Sequence, residues 1–154
     1  MARNFNMRVL VNTRSKNKRN NHEQHVSLQN LLKNSDVVSL HCPLSNETKN
    51  LIGYQELELM KPSSILINTA RGALIESKAL FDALINNKIS GAAIDVLPEE
   101  PPTEGNVLLD YKGTNLFLTP HIAWGTIEAR QNAINQLANA ILAFKNNESF
   151  NVLV

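Results

Sequence analysis

The chain has 154 residues, 43% of them apolar, and a formal charge of +1 from 15 basic and 14 acidic side chains. That is long enough for one domain with a real core, and the near-zero balance excludes a global field drawing the chain to nucleic acid or to a membrane surface. The single cysteine, Cys42, excludes an internal disulfide framework. No apolar run nears the roughly 20 residues of a membrane helix, and the opening MARNFNMR lacks the apolar core of a secretory signal. With a mean hydropathy of −0.20, a soluble cytoplasmic domain is expected.

In chain order, short apolar runs alternate with amphipathic segments. RVLVN is the first expected strand, and the polar run RSKNKRNNHEQH that follows it after Thr13 reads as a loop. SLQNLLKNS opens a helix on Ser27, a favourable N-cap. DVVSLH is the next strand, and YQELELM is a helix that stops before Lys61-Pro62. SILINT is a strand, and ESKALFDALINN a helix with Leu80, Ala83 and Leu84 on one face. GAAIDV and NLFLTP are the last strands. The long connection between them, LPEEPPTEGNVLLDYKGT, is of a length often functional in compact domains. A helix from Thr126 to about Lys145 places Ala133, Leu137, Ala140, Ile141 and Phe144 at helical spacing. The five strand candidates are apolar almost throughout, which predicts burial on both faces. Their alternation with helices predicts a doubly wound, parallel α/β sheet.

In open parallel sheets, ligands bind outside the carboxyl ends of the strands. Three segments follow directly on expected strands: Thr69-Ala70-Arg71-Gly72, Asp95 to Glu100, and His121. Taken singly, Arg71 is a surface arginine, Glu100 part of a solvated acidic loop, and His121 a hydrogen-bonded structural histidine. Their shared position at strand ends favours convergence, and Gly72 offers room for a ligand or another backbone to approach closely. An arginine fork binds a carboxylate bidentately and stays charged. Histidine is the natural proton donor and acceptor near neutrality. A carboxylate bonded to the imidazole fixes its tautomer and raises its pKa. Such a set suits a substrate carrying a carboxylate beside a carbonyl or hydroxyl group.

The stretches SDVVSLHCPLSNETKNLI, MKPSSILINTARGALIE, GAAIDVLPEEPP and TPHIAW together resemble the D-isomer-specific 2-hydroxyacid dehydrogenases, from about Met7 to Val154. DVLPEEPP, the tryptophan of TPHIAW and the ending FNVLV are most similar to the glycerate dehydrogenase (hydroxypyruvate reductase) branch. The resemblance implies a Rossmann-like sheet, NAD or NADP as cofactor, and homodimers in complete members. It implies hydride transfer involving a small 2-oxo or 2-hydroxy acid of the hydroxypyruvate, glyoxylate or glycerate type. It also implies roles. Arg71 would hold the substrate carboxylate, His121 would be the general acid and base, and Glu100 would pair with His121 while Glu99 looks on. Thr13, Arg14, Ser15, His41, Cys42, Pro43, Thr48, Thr69, Ala70, Asp95 and Ala123 would surround the cofactor, with Asp95 facing the nicotinamide carboxamide. No metal site is implied.

The chain departs from the family pattern in three ways. The family's G-x-G-x-x-G turn, which cradles pyrophosphate on a helix N-terminus, precedes the strand that RVLVN resembles, and these residues begin after it. An N-terminal truncation is therefore expected, with the missing strand between RVLVN and SILINT. The family's substrate domain is likewise expected to be absent. Finally, Thr13 stands where many members carry an acid for the ribose diol, and Arg14 and Ser15 follow, implying acceptance of a 2′-phosphate. Alternatively Arg14, Lys16, Lys18 and Arg19 form a solvated basic loop. Two further readings remain open: a non-catalytic dinucleotide-responsive interaction module, and an inert truncated gene product.

Overall fold

The computed structural model describes residues 2–14 and 24–150. The chain divides into two compact units, Met1–Pro120 and His121–Val154.

The first unit begins with a 3₁₀ turn at Ala2–Phe5. Strand β1 (Leu10–Val11) pairs in parallel with β2 (Gln24–His25). The second of these corrects the sequence reading, because Gln24 and His25 belong to the run expected to be a loop. Their ladder uses backbone groups only, so side-chain polarity does not oppose it. The Val26 N–H extends it to the Val11 carbonyl at 2.9 Å, and the Asn12 amide donates to the Val26 carbonyl at 3.0 Å. Residues 15–23 of that run, Ser15 among them, lie outside the described residues.

Helix α1 (Leu28–Asn34) starts where expected: the Ser27 hydroxyl accepts the Asn30 N–H at 3.2 Å. The elements that follow are β3 (Val37–Leu40), α2 (Tyr54–Leu59), β4 (Ile65–Asn68), α3 (Ser77–Ile85), β5 (Gly91–Ile94) and β6 (Leu116–Leu118). Strands β3, β4, β5 and β6 form one sheet in that order, and every neighbouring pair is parallel. This is a Rossmann-type α/β arrangement. It corrects the expected place of a gap. The strand SILINT has partners on both sides, β3 and β5, and among the described residues the edge strands of this sheet are β3 and β6.

Leu32, Leu57, Leu66, Leu74, Leu80, Leu84 and Ile89 are almost wholly shielded and form the centre of the core. Burying each such side chain contributes about 1.5–3 kcal/mol. Helix α3 buries Ala79, Leu80, Ala83 and Leu84, the face expected from its spacing. Burial on both faces holds for β5 but, contrary to expectation, not for β3, β4 and β6. Val38, Leu40 and Leu66 point inward while Val37, Ile65 and Phe117 are exposed, because successive strand residues face opposite ways and the packed elements cover one side. The long connection from Leu97 to Thr114 has neither helix nor strand. It is anchored by buried Leu108 and by Tyr111, whose ring meets Phe81 edge-on at 5.8 Å.

The second unit carries α4 (Ile127–Lys145), capped by Thr126, whose hydroxyl accepts the Ala129 N–H at 3.1 Å. Its apolar spacing does not produce a buried stripe: Leu137, Ile141 and Phe144 are exposed, and Ala143 is the buried residue. Among the described residues no helix is long and apolar enough to cross a membrane.

Candidate active site

Strands β4, β5 and β6 run side by side in one direction, so their carboxyl ends share one edge of the sheet. That edge is stitched together by groups just beyond the strands. The Asp95 N–H donates to the Asn68 carbonyl at 2.9 Å, and the Thr119 N–H to the Ile94 carbonyl at 3.0 Å. Asp95 is 4% exposed, and its Oδ1 accepts the Thr119 hydroxyl at 2.6 Å. A charge-assisted bond of this length offsets part of the cost of burying a carboxylate.

The loop after β4 carries Arg71. Asn68, the last strand residue, is fully buried. Its Oδ1 accepts the Ala70 N–H at 3.0 Å, and its Nδ2 donates to the Arg71 carbonyl at 2.9 Å. Arg71 therefore leaves the sheet with its backbone tied down and its side chain exposed. The guanidinium donates through Nη1 to the Ala70 carbonyl at 2.6 Å. A 3₁₀ turn, Gly72–Leu74, follows, and its carbonyls receive the neighbouring segment: Asn50 N–H on Ala73 at 2.8 Å and Ile52 N–H on Leu74 at 3.0 Å.

Gly72 answers the question raised by its sequence position. A Cβ there would lie 2.0 Å from the Leu97 carbonyl carbon and 2.4 Å from the Pro98 nitrogen. Another backbone, not a ligand, fills the space, and it belongs to the loop carrying Glu100. The two loops are clamped main chain to main chain. Within its loop Glu100 is exposed, and its Oε1 accepts the Leu97 N–H at 2.9 Å. The neighbouring Glu99 accepts the Thr103 hydroxyl at 2.7 Å.

His41, Cys42 and Pro43 form the exit from β3. The His41 Nε2 and the Ser39 hydroxyl are 2.8 Å apart, and Cys42 packs partly against the core. Thr48 works inside this loop: its hydroxyl donates to the Pro43 carbonyl at 2.8 Å and accepts the Ser45 N–H at 2.7 Å. Thr69 is exposed and Ala70 half-buried. At the end of β1, Thr13 and Arg14 are exposed, and the Arg14 guanidinium forms an ion pair with Glu47. A 2′-phosphate would compete with that carboxylate.

His121 and Ala123 belong to the second unit, and both are exposed. His121 has φ +52, a left-handed conformation uncommon outside glycine, asparagine, aspartate and histidine. Its carbonyl accepts the Trp124 indole N–H at 3.0 Å, so the tryptophan of TPHIAW braces the backbone of the histidine.

Asn68 and Thr119 were not picked out as site residues from the sequence, although a signal existed for each. Asn68 is a polar amide ending an otherwise apolar strand, and Thr119 is a hydroxyl immediately past the end of another, two strands away.

A family model described as the D-isomer specific 2-hydroxyacid dehydrogenase NAD binding domain matches residues 1–123. The chain belongs to that family. A glycerate dehydrogenase of Methylorubrum extorquens is 47% identical over 128 residues, which are 83% of this chain and 41% of that enzyme. Among solved structures, a D-2-hydroxyisocaproate dehydrogenase superposes with a TM-score of 0.90 at 29% identity, covering 99% of this chain and 50% of the other. The acyclic imino acid reductase Bsp5, solved with NADPH and D-Arg, gives 0.86 at 35% identity, covering 99% and 48%. The chain thus spans about two-fifths to half the length of these relatives. Its donor set fits the dinucleotide of a 2-hydroxyacid dehydrogenase: a buried carboxylate acceptor, Asp95, at the end of a central strand, among exits lined by His41, Pro43 and Thr69.

Proposed function

We infer that this chain supplies the catalytic residues of a nicotinamide-dependent oxidoreductase acting on a small 2-oxo or 2-hydroxy acid, of the hydroxypyruvate, glyoxylate and glycerate type. The observation that carries the reading is the clamp at Gly72, which holds the Arg71 loop against the Glu100 loop through main-chain contact. Family membership and the likeness to glycerate dehydrogenase support it. NAD or NADP, when bound, supplies or accepts the hydride at C2 of the acid. The chain's residues do the rest. Asp95 would accept from the nicotinamide carboxamide, and Thr69, Ala70, Ala123 and the His41–Pro43 turn are the residues assigned to the cofactor's surroundings. Arg71 receives the substrate carboxylate on its outward guanidinium edge, since Nη1 is turned back onto the Ala70 carbonyl. His121 donates the proton that the carbonyl oxygen takes up on reduction and recovers it from solvent. In the oxidative direction it removes the hydroxyl proton. Glu100 is the carboxylate that the family resemblance assigns to the imidazole, where it would fix the tautomer. The cytoplasmic setting read from composition belongs to this proposal.

The test is steady-state NAD(P)H oxidation with glyoxylate and hydroxypyruvate. His121→Ala should lower kcat by roughly a hundredfold or more. Arg71→Ala should lower kcat/KM with a strong rise in KM, because a charge-assisted carboxylate contact is lost. Equal and mild effects from both would mean that neither touches the reaction. No turnover by the unmodified chain would remove the activity from these 154 residues.

A further inference from the structure

We propose that Asn68 is a positioning residue: a buried amide that sets the direction in which Arg71 leaves the sheet. The inference rests on the reading of Arg71 as the ligand of the substrate carboxylate. Asn68 is held on both sides by the sheet, opposite Leu40 and Ile94, and is fully buried. An apolar residue would suit that position, since Leu66 on the same face is completely shielded. A buried amide without partners is costly. Here both ends of the amide are used, and both on the next three residues: Oδ1 on the Ala70 N–H at 3.0 Å, Nδ2 on the Arg71 carbonyl at 2.9 Å. The side chain thus replaces, for the first loop residues, the ladder bonds that end with the strand.

The next fixed point is Gly72, seated against the Leu97–Pro98 main chain. Arg71 sits between the two and has no freedom to slide or rotate its peptide without breaking one of them. Its side chain is exposed, so its aim is decided by the backbone beneath it. A functional group needs this kind of support, because small errors in placement are costly to catalysis.

Two variants of the 154-residue chain test the idea. Asn68→Ala removes both bonds. Asn68→Asp keeps the acceptor when ionised and regains a donor when protonated. Amide hydrogen exchange followed by mass spectrometry or NMR reads the Ala70 N–H directly. Phenylglyoxal modification of Arg71, with and without oxamate as a non-reducible mimic of a 2-oxo acid, reads the placement of the guanidinium.

In Asn68→Ala the Ala70 amide should lose protection at least about tenfold, as a net hydrogen-bond loss of about 1.4 kcal/mol implies, while amides in α3 and β5 keep theirs. Oxamate should protect Arg71 in the parent chain and protect it several-fold less in the variant. Asn68→Asp should keep the Ala70 protection at pH 8 and at pH 5, since the acceptor remains. Its ionised form cannot donate to the Arg71 carbonyl, so oxamate should protect Arg71 less at pH 8 than at pH 5 relative to the parent. It serves alone if the alanine variant does not fold. Unchanged Ala70 exchange in Asn68→Ala, or Ala70 protection lost in Asn68→Asp as fully as in Asn68→Ala, would overturn the proposal. So would oxamate protection that is present in the parent and undiminished in Asn68→Ala. Faster exchange in the variant, with no oxamate protection of Arg71 even in the parent, keeps the loop-positioning role and refutes the substrate reading of Arg71.

Discussion

At the end of β4, a fully buried Asn68 and a glycine pressed against a second main chain hold Arg71 from below. At the end of β1, a strand of two residues, Arg14 meets Glu47 in an ion pair whose side chains are 82% and 67% exposed. Both loops leave parallel strands and both present an arginine. The first is fixed by groups shielded from solvent, the second by charges in water. Buried hydrogen bonds and packing define a geometry that salt does not reach, whereas an exposed ion pair contributes about 0–1 kcal/mol and is screened. In a 2-hydroxyacid dehydrogenase the first geometry suits a catalytic contact. The second suits a choice between cofactors, which surface charge can retune without disturbing the fold.

The largest expected effect breaks the buried side of this comparison. Gly72→Ala places a methyl 2.0 Å from the Leu97 carbonyl carbon and 2.3 Å from its oxygen, so one loop has to move. Overpacking of this kind costs about 1–3 kcal/mol or more. Chemical denaturation should show a clearly lower midpoint than in the parent chain, and a midpoint equal to the parent's would mean that the Arg71 and Glu100 loops are not in contact.

The exposed side should respond differently. Arg14→Ala is expected to change stability by no more than about 0.5 kcal/mol, yet to weaken NADPH binding by about tenfold while leaving NADH nearly unaffected. Glu47→Gln should strengthen NADPH binding by releasing the guanidinium. Calorimetric titration at low salt and again near 0.5 M checks this, because the differences should shrink as screening rises. Equal effects on both cofactors would remove Arg14 from the 2′-phosphate assignment.

The smallest effect sharpens the contrast through pH. The hydrogen bond from Lys61 holds the Asp36 carboxyl below its ordinary 3.8. Hydrogen bonds from Lys78 and then Tyr54 do the same for Asp82. A depressed carboxylate contributes stability that is present above the unfolded value and lost as pH falls through the folded one. A modest loss of unfolding free energy is therefore expected below about pH 3.8, and it should be reduced in Asp36→Asn and Asp82→Asn. The phenol of Tyr54, raised above 10 by its bond to Asp82, contributes in the opposite sense, with stability lost as pH rises beyond its folded value. The Asn68 latch holds no titrating group, so the Ala70 protection factor in the parent chain should stay level until global unfolding.

Much of this was legible in the chain itself. Ser27 and Thr126 mark helix starts because a hydroxyl that caps an N–H is a local matter. The apolar runs of β3 to β6 and the buried face of α3 follow from periodicities that need no tertiary information. The parallel arrangement follows from helices intervening between strands. Gly72 was visible as a place of close approach, and Arg71 and Asp95 as residues just past strand ends.

The sequence by itself thus determined which segments are strands and helices and which chemically able side chains follow them, since propensity, capping and spacing act over a few neighbouring residues. Only the tertiary structure decided that Gln24 and His25 join a ladder, because backbone pairing ignores side-chain polarity. It alone revealed that SILINT is paired on both edges, that one face of the sheet is exposed at Val37, Ile65 and Phe117, and that the close neighbour of Gly72 is Leu97–Pro98. It likewise turned Asn68 from an unremarked strand residue into the support beneath Arg71. Each of these depends on groups distant in sequence meeting in space, and no local pattern encodes that meeting.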